Sequence, residues 1–303
     1  MPNYVTNVLQ IHSKNKSQLE YIVSDNIVKE TDANGNEFLE FDFNKLIPRP
    51  EGYEKTMSPV GAGGVGFLYG YNNVDLVGTY VRSAILGDAA PLSVHGNDHL
   101  TVGEVIKGMD EKTNNNKLLN SLLDEKVIDL SMLLPEARRR VREKYADEQR
   151  RNQYAHTTIE YLDAMENSLN LKEQYGYYTW YDWATSNWGT KWNNPYTNYK
   201  IVDEAEIDDS DEHLLIIRMD TAWSCPQPVI IALAQKYQLP IIGHAVDEMG
   251  NFAFDFEVTP EEDGHYRWED TEWTEEKMEK YFGIGEDDIE IEITEPVEVK
   301  TIQ

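Results

Sequence analysis

Cysteine is almost missing from this chain. Cys225 is alone among 303 residues, so neither an intramolecular disulfide nor a cysteine-built zinc cage can form, and the compartment reads as reducing. Positive charge is scarce too: 27 Lys and Arg stand against 55 Asp and Glu, for a formal net charge of −28. Such a balance argues against direct binding to nucleic acid or to an anionic membrane. No run of about 18 apolar residues occurs, and Met1-Pro2-Asn3-Tyr4-Val5-Thr6 has neither the basic start nor the apolar run of a leader. The expectation is a soluble, cytoplasmic protein.

Aromatic residues, by contrast, are plentiful. With 7 Trp, 18 Tyr and 40% hydrophobic residues, the chain is too apolar for a disordered acidic protein and long enough for one large domain or two packed ones. Tyr4 to Ile11 alternates like a strand, and Leu19, Ile22, Val23 and Ile27 share one face of a helix from about Gln18 to Lys29. A turn at Asp32 to Asn36 and an alternating Phe38 to Phe43 complete what reads as a βαβ half-unit, ending at Pro48-Arg49-Pro50. Residues 73–175 differ in character, with amphipathic runs at Leu118 to Leu134 and Glu136 to Leu171. From about 176 strand and turn signals return, beginning with the aromatic-rich Tyr177 to Trp183. Leu214 to Met219 is a strand, Val229 to Tyr237 a helix with Pro226 and Pro228 in its first turn, and Ile241 to Val246 with Phe252 to Val258 a hairpin.

At the aromatic blocks the sequence resembles the YubB-like proteins of plasmids, phages and mobile islands. The similarity lies in Met1-Pro2-Asn3-Tyr4, in Phe43 to Pro50, in Trp188-Gly189-Thr190-Lys191-Trp192-Asn193, and in Thr221-Ala222-Trp223-Ser224 with the prolines after it. The resemblance implies an α+β fold, a split ferredoxin-like antiparallel sheet with a helical insertion, and a mobile-element origin; it implies no catalytic residue. The expected layout is a discontinuous ferredoxin-like domain over 1–50 and 176–258, a glycine-rich loop over 51–72, the helical insertion over 73–175 and an acidic C-terminal extension over 259–303. Trp188, Gly189, Lys191, Trp192 and Trp223 form the structural signature, the three tryptophans reading as sheet-to-helix core rather than as a ligand cage.

Candidate chemistry is thin. Gly61-Ala62-Gly63-Gly64-Val65-Gly66 has dinucleotide-loop spacing, but no strand precedes it and no helix follows, so it reads as a surface loop. His95-Gly96-Asn97-Asp98-His99 offers two imidazoles and a carboxylate in a turn, without a third histidine nearby. Cys225 precedes a helix start, where a dipole lowers a thiol pKa, but no histidine partner is identifiable and packing under the helix is the better reading. The basic run of Arg138, Arg139, Arg140, Arg142, Lys144, Arg150 and Arg151 reads as a solvated face paired with acids of its own chain. No metal, cofactor or catalytic residue is expected.

The strongest feature is where the acid lies. From residue 201 onward there are 28 Asp and Glu against 6 Lys and Arg. One cluster is Asp203, Glu204, Glu206, Asp208, Asp209, Asp211 and Glu212, which lacks the glycine and ligand spacing of a calcium loop. The other is the tail, with Glu286, Asp287, Asp288, Glu290 and Glu292, where Ile289 to Ile293 alternates as a strand with one acidic face. Regularly placed carboxylates imitate a phosphate backbone, which presents one charge per about 1.7 Å. The expectation is a non-enzymatic, phage- or plasmid-encoded interaction protein that inhibits a host nucleic-acid-handling defence system by occupying a basic groove, without touching nucleic acid or membrane; self-association stays open. The alternative is a ligand-binding module or enzyme with a pocket on the ferredoxin-like sheet.

Overall fold

Alternation of Val, Leu and Ile with polar residues makes Tyr4–Ser13 a ten-residue strand, β1, in the computed structural model of the chain. The structure describes residues 3–56, 65–75, 80–83, 93–109, 117–146, 153–194, 196–202 and 212–270. After β1 come α1 (Lys16–Asn26), β2 (Ile27–Thr31), β3 (Glu37–Phe41), β4 (Tyr71–Asp75), β5 (Tyr80–Ser83), α2 (Val102–Gly108), α3 (Lys117–Asp124), α4 (Leu134–Ala146), α5 (Gln153–Tyr175) and α6 (Trp180–Asn187). Then follow β6 (Thr197–Val202), β7 (His213–Ala222), α7 (Gln227–Tyr237), β8 (Ile241–Asp247), β9 (Ala253–Pro260) and β10 (Tyr266–Asp270). The chain divides into Met1–Arg49 with Ala184–Gln303, and Pro50–Trp183. No helix of the described residues is long and apolar enough to cross a membrane.

The first unit holds a six-stranded antiparallel sheet in the order β10-β9-β8-β1-β7-β6. Taking β1, β6, β7 and β8 as the four strands of a βαββαβ unit, their order is fourth, first, third, second, which is the ferredoxin-like arrangement; β9 and β10 extend it as a meander. β1 is paired on both edges, Val8 with Arg218 on one side and with His244 on the other. It is buried on both faces as well, through Leu9 and Ile11 in one alternating set and Val8, Gln10 and His12 in the other. Gly243 of β8 is required at this centre: a Cβ there would lie 2.2 Å from the Val8 carbonyl oxygen and 2.7 Å from the Phe256 ring.

α1 and α7 touch each other beside the sheet. The Tyr237 hydroxyl donates to Asp25 Oδ2 at 2.5 Å and accepts from Asn26 Nδ2 at 2.7 Å, Lys236 Nζ lies 2.8 Å from the same Asp25 carboxylate, and the Tyr21 ring meets the Tyr237 ring edge-on. These hydrogen bonds from Lys236 and Tyr237 hold the Asp25 carboxyl below its ordinary pKa.

Two segments depart from the expected layout of this unit. β2 and β3 form a two-stranded sheet of their own, touching the chain before β6 through a single bridge from Phe41 to Asn194, so the opening is a strand, a helix and a separate hairpin, not a βαβ half-unit. The helix stops at Asn26, whose side chain bonds back to the Ile22 carbonyl, and Ile27-Val28 enter β2; Asp32 Oδ1 then accepts from the amides of Asn34 and Asn36, closing a tight hairpin. The sheet also runs on through β9 and β10 into residues assigned by their charge to the acidic extension.

The described residues of the second unit are mainly helical and include the small β4-β5 pair. Leu134, Ala137, Val141 and Tyr145 line the buried face of α4, and Val65 and Gly66, the end of the stretch read from sequence as a surface loop, are buried together with Phe67, Leu68, Tyr69 and Tyr71 after them, which are at most 1% exposed. The described parts of the run from Glu136 to Leu171 are helical, in α4 and α5. The aromatic Tyr177 to Trp183 enters the helix α6 because Thr179 Oγ1 accepts from the Asp182 amide and donates to the Asp182 carboxylate, a cap that starts the turn.

The helix clamp makes a stability prediction. Tyr237→Phe removes a charge-assisted bond to Asp25 and one to Asn26, and is expected to cost about 1–2 kcal/mol in denaturant unfolding with an unchanged circular dichroism spectrum.

Candidate functional site

The stretches that carry the aromatic signature meet in the first unit. Trp188 is 1% exposed, its Nε1–H donates to the Ile47 carbonyl at 2.8 Å, the Phe43 ring meets it edge-on at 5.7 Å, and the Arg49 guanidinium lies 5.6 Å from its centroid. Gly189 sits at φ +76°, where a Cβ would come within 2.8 Å of Pro228 Cδ. Its carbonyl accepts from Ser224 Oγ, and Thr190 Oγ1 donates to the Ala222 carbonyl at 2.8 Å. The Trp223 amide donates to Asn3 at 2.9 Å. Four short stretches, from Asn3 to Ser224, are thereby fastened together by hydrogen bonds and ring contacts.

Only one of the three signature tryptophans is fully core. Trp188 is; Trp192 is half-buried; Trp223 is 44% exposed, which corrects its reading as core. The cause is local backbone: leaving β7 for α7, the chain takes a left-handed φ of 72° at Trp223, a conformation unfavourable for a bulky residue. Lys191 Nζ then lies 4.5 Å from the Trp223 ring centroid and 4.4 Å from that of Trp192, a cation held by two indoles.

A pair of carboxylates sits beside this joint. Asn193 Nδ2 donates to Glu40 Oε1 at 2.6 Å and to Asp42 Oδ1 at 3.1 Å, while its Oδ1 accepts from the Phe43 amide at 2.8 Å. Burial first, then the negative charges of Asp42 and Glu30, push the Glu40 carboxyl up to about 7. Sequence reading missed this pair, because Glu40 and Asp42 belong to an ordinary alternating stretch and only the fold brings Asn193 between them.

Of the acidic cluster, Glu212 alone falls among the described residues, half-buried with its Oε2 at 3.8 Å from His12 Nδ1. Asp203, Glu204, Glu206, Asp208, Asp209 and Asp211 lie outside them, as do Glu286, Asp287, Asp288, Glu290 and Glu292 and the alternating Ile289 to Ile293. Gly61 to Gly64, Arg150 and Arg151 lie outside them too. Cys225 is buried, and burial pushes its thiol pKa up, followed by the charge of Asp270. His95 Nδ1 is 2.9 Å from Asp98 Oδ2, whose other oxygen pairs with Arg138; among the described residues no three His, Cys, Asp or Glu side chains are grouped to hold a metal.

The described part of the basic run, Arg138 to Lys144, is paired within its own unit. Arg138 pairs with Asp98 and donates to the Leu68 carbonyl; Arg139 pairs with Glu136 and Glu143, and Arg140 with Glu136. Arg142 reaches Asp163 at 2.5 Å and Glu166 at 3.1 Å, and Lys144 pairs with Glu125. A shallow depression over α4 and α5 is lined by the same Arg142, Asp163 and Glu166 with Asn167 and Asn170.

Residues 203–282 match the family model DUF1281_C, described as the ferredoxin-like domain in Api92-like protein. With the strand order above, the chain contains a ferredoxin-like domain similar to that of the Api92-like proteins. No curated protein matches the chain significantly. Among solved structures, the crystal structure of a protein api92 from Yersinia pseudotuberculosis is 13% identical, over 90% of this chain and 99% of that one; at a TM-score of 0.33 the likeness carries no argument.

The joint separates two tryptophans by experiment. Trp188→Ala is expected to cost about 3–5 kcal/mol in chemical denaturation. Trp223→Gly relieves a left-handed backbone while losing an exposed ring, and its stability should stay within about 1 kcal/mol of the parent. Glu40 gives a pH test. Its folded pKa lies above the unfolded value, so its stabilising contribution is complete below the ordinary glutamate range and is lost as pH rises through about 7. The melting temperature of the parent is expected to fall from pH 5 to pH 9, about two units either side of the folded pKa, and that of Glu40→Gln to change less.

Proposed function

We propose that the chain is a non-enzymatic interaction protein whose sheet-bearing unit presents an acidic surface to a basic groove on a nucleic-acid-handling partner. The observation that carries this reading is the segregation of charge. Residues 1–49 and 184–303 hold 35 Asp and Glu against 13 Lys and Arg. In the helical unit, the basic side chains of α4 are paired with carboxylates of that same unit. A phosphate backbone is therefore a poor partner for the described basic residues, and a cationic protein surface a good one for the acidic unit.

The YubB-like resemblance adds a source for the partner. A protein carried by a phage or plasmid gains from occupying the DNA-binding groove of a host defence system, and its place of action would be the host cytoplasm. Asp203 to Glu212 and Glu286 to Glu292 are the contact residues in this reading.

The test is competition. Host proteins retained on the immobilised chain are expected to be nucleic-acid-binding proteins, released by duplex DNA and by raising salt from about 0.1 M to about 0.5 M, where the screening length shrinks from about 10 Å to about 4 Å. Neutralising Asp203, Glu204, Glu206, Asp208, Asp209, Asp211 and Glu212 to Asn and Gln should weaken retention at least about tenfold, with folding intact. Retention that neither DNA nor salt disturbs overturns the proposal.

A further inference from the structure

One end of the six-stranded sheet gathers exposed rings and carboxylates that no packing role uses up. Tyr196, just before β6, is 59% exposed, and its position is fixed: its amide donates to Asn194 Oδ1 at 2.8 Å, and its carbonyl accepts from the Asp220 amide at 3.3 Å. Asp220 in β7 is cross-strand from Thr6 in β1, whose Oγ1 donates to Asp220 Oδ1 at 2.8 Å. Two residues along β1, half-buried Tyr4 donates its amide to Glu248 Oε1 at 2.9 Å, and its carbonyl accepts the Glu248 amide at the same distance. Burial, then the proximity of Tyr196, Glu248 and Asp220, pushes the Tyr4 phenol pKa up, so Tyr4 lies near groups from three other segments.

We infer that Tyr4, Tyr196, Asp220 and Glu248 form a docking patch for an arginine side chain on a basic partner protein. Three features select that occupant. Two carboxylates with no basic side chain bonded to them among the described residues, in a unit with a large acid excess, favour a cation. Phenol rings beside them favour a flat cation that stacks, and a guanidinium does so while donating to carboxylates in its own plane; an ammonium does the first less well and the second as a point charge. Hydrogen bonds to the Asp220 and Glu248 carboxylates hold those side chains, and main-chain bonds hold the Tyr196 and Tyr4 backbones, before binding, so part of the ordering cost is already met.

This inference rests on the proposed cationic partner, and it concerns how one residue of that partner is read. The probes are two labelled ten-residue peptides of alternating glycine and basic residue, one with arginine and one with lysine, titrated against the full chain by fluorescence anisotropy at about 0.15 M salt, where long-range attraction is largely screened. The arginine peptide is expected to bind about three- to tenfold tighter than the lysine peptide, and Tyr196→Ala and Asp220→Asn each to abolish that preference. Tyr196→Ala removes an exposed ring, so its circular dichroism should be unchanged. Neutralising Asp203 to Glu212 should weaken both peptides while keeping the preference for arginine. Equal binding of the two peptides, or a preference that survives Tyr196→Ala, overturns the patch yet leaves capture of a DNA-displaceable partner standing. Loss of that capture with the preference intact removes the wider reading and not the patch.

Discussion

Everything in the sheet-bearing unit depends on β1 being paired on both edges by strands that come from far down the chain. Val5 faces Thr221 across one edge and Asp247 across the other, so the first ten residues cannot bury their two faces until more than two hundred others have been placed. Closing so long a loop costs entropy, though the cost grows only slowly with length, and the return must be fastened where the chain re-enters. That fastening is the joint around Trp188. Its indole N–H holds the Ile47 carbonyl at the exit from the unit, and Gly189 and Thr190 hold the Ala222 to Ser224 turn. The close approach of Gly189 to Pro228 lets α7 start directly behind it.

The aromatic signature therefore has a structural cause that does not require a ligand. Trp188 and Gly189 are needed where exit and re-entry of the insertion meet, and Asn193 is needed to satisfy the Phe43 amide and the Glu40 and Asp42 carboxylates together. Trp223 is different. It occupies a left-handed backbone, exposed, with Lys191 between it and Trp192. Strain of this kind costs about 1–3 kcal/mol and persists only where the surroundings fix it; here the amide bond to Asn3 and the Thr221 hydroxyl bond to the Ser224 carbonyl do so.

Period and punctuation made much of the first unit legible. β1, β7, the hairpin of β8 and β9, and the proline-started α7 all follow from local alternation, turn residues and helix-start chemistry, each set within about ten residues. What was not legible depends on distant partners. Nothing local tells whether Phe38 to Phe41 joins β1 or pairs back on β2; the Asp32 turn decides it by making the hairpin tight. Likewise Trp188 and Trp223 have similar neighbours, and only a backbone angle separates a core ring from an exposed one. The Glu40, Asp42 and Asn193 contact joins residues about 150 apart, beyond any spacing rule.

Charge is the third kind of information, and sequence and structure divide it unevenly. Counting gave the sign and the half of the chain in which the acid lies, but a count cannot tell a basic face offered to phosphate from one already satisfied. The helix α4 carries four arginines within five residues, a composition that in isolation suggests nucleic acid. Each of those guanidinium groups instead has a carboxylate of its own unit, from Asp98 for Arg138 to Asp163 and Glu166 for Arg142. Opening such pairs to admit a phosphate exchanges one anion for another with little gain, whereas among the described residues Asp220 accepts from a threonine hydroxyl and Glu248 from a backbone amide. Those two carboxylates keep acceptor capacity and charge, so an arriving cation adds an interaction without displacing one. The asymmetry between the two units is thus one of unused bonding capacity as much as of net charge, and it gives the acidic unit the better claim to a partner.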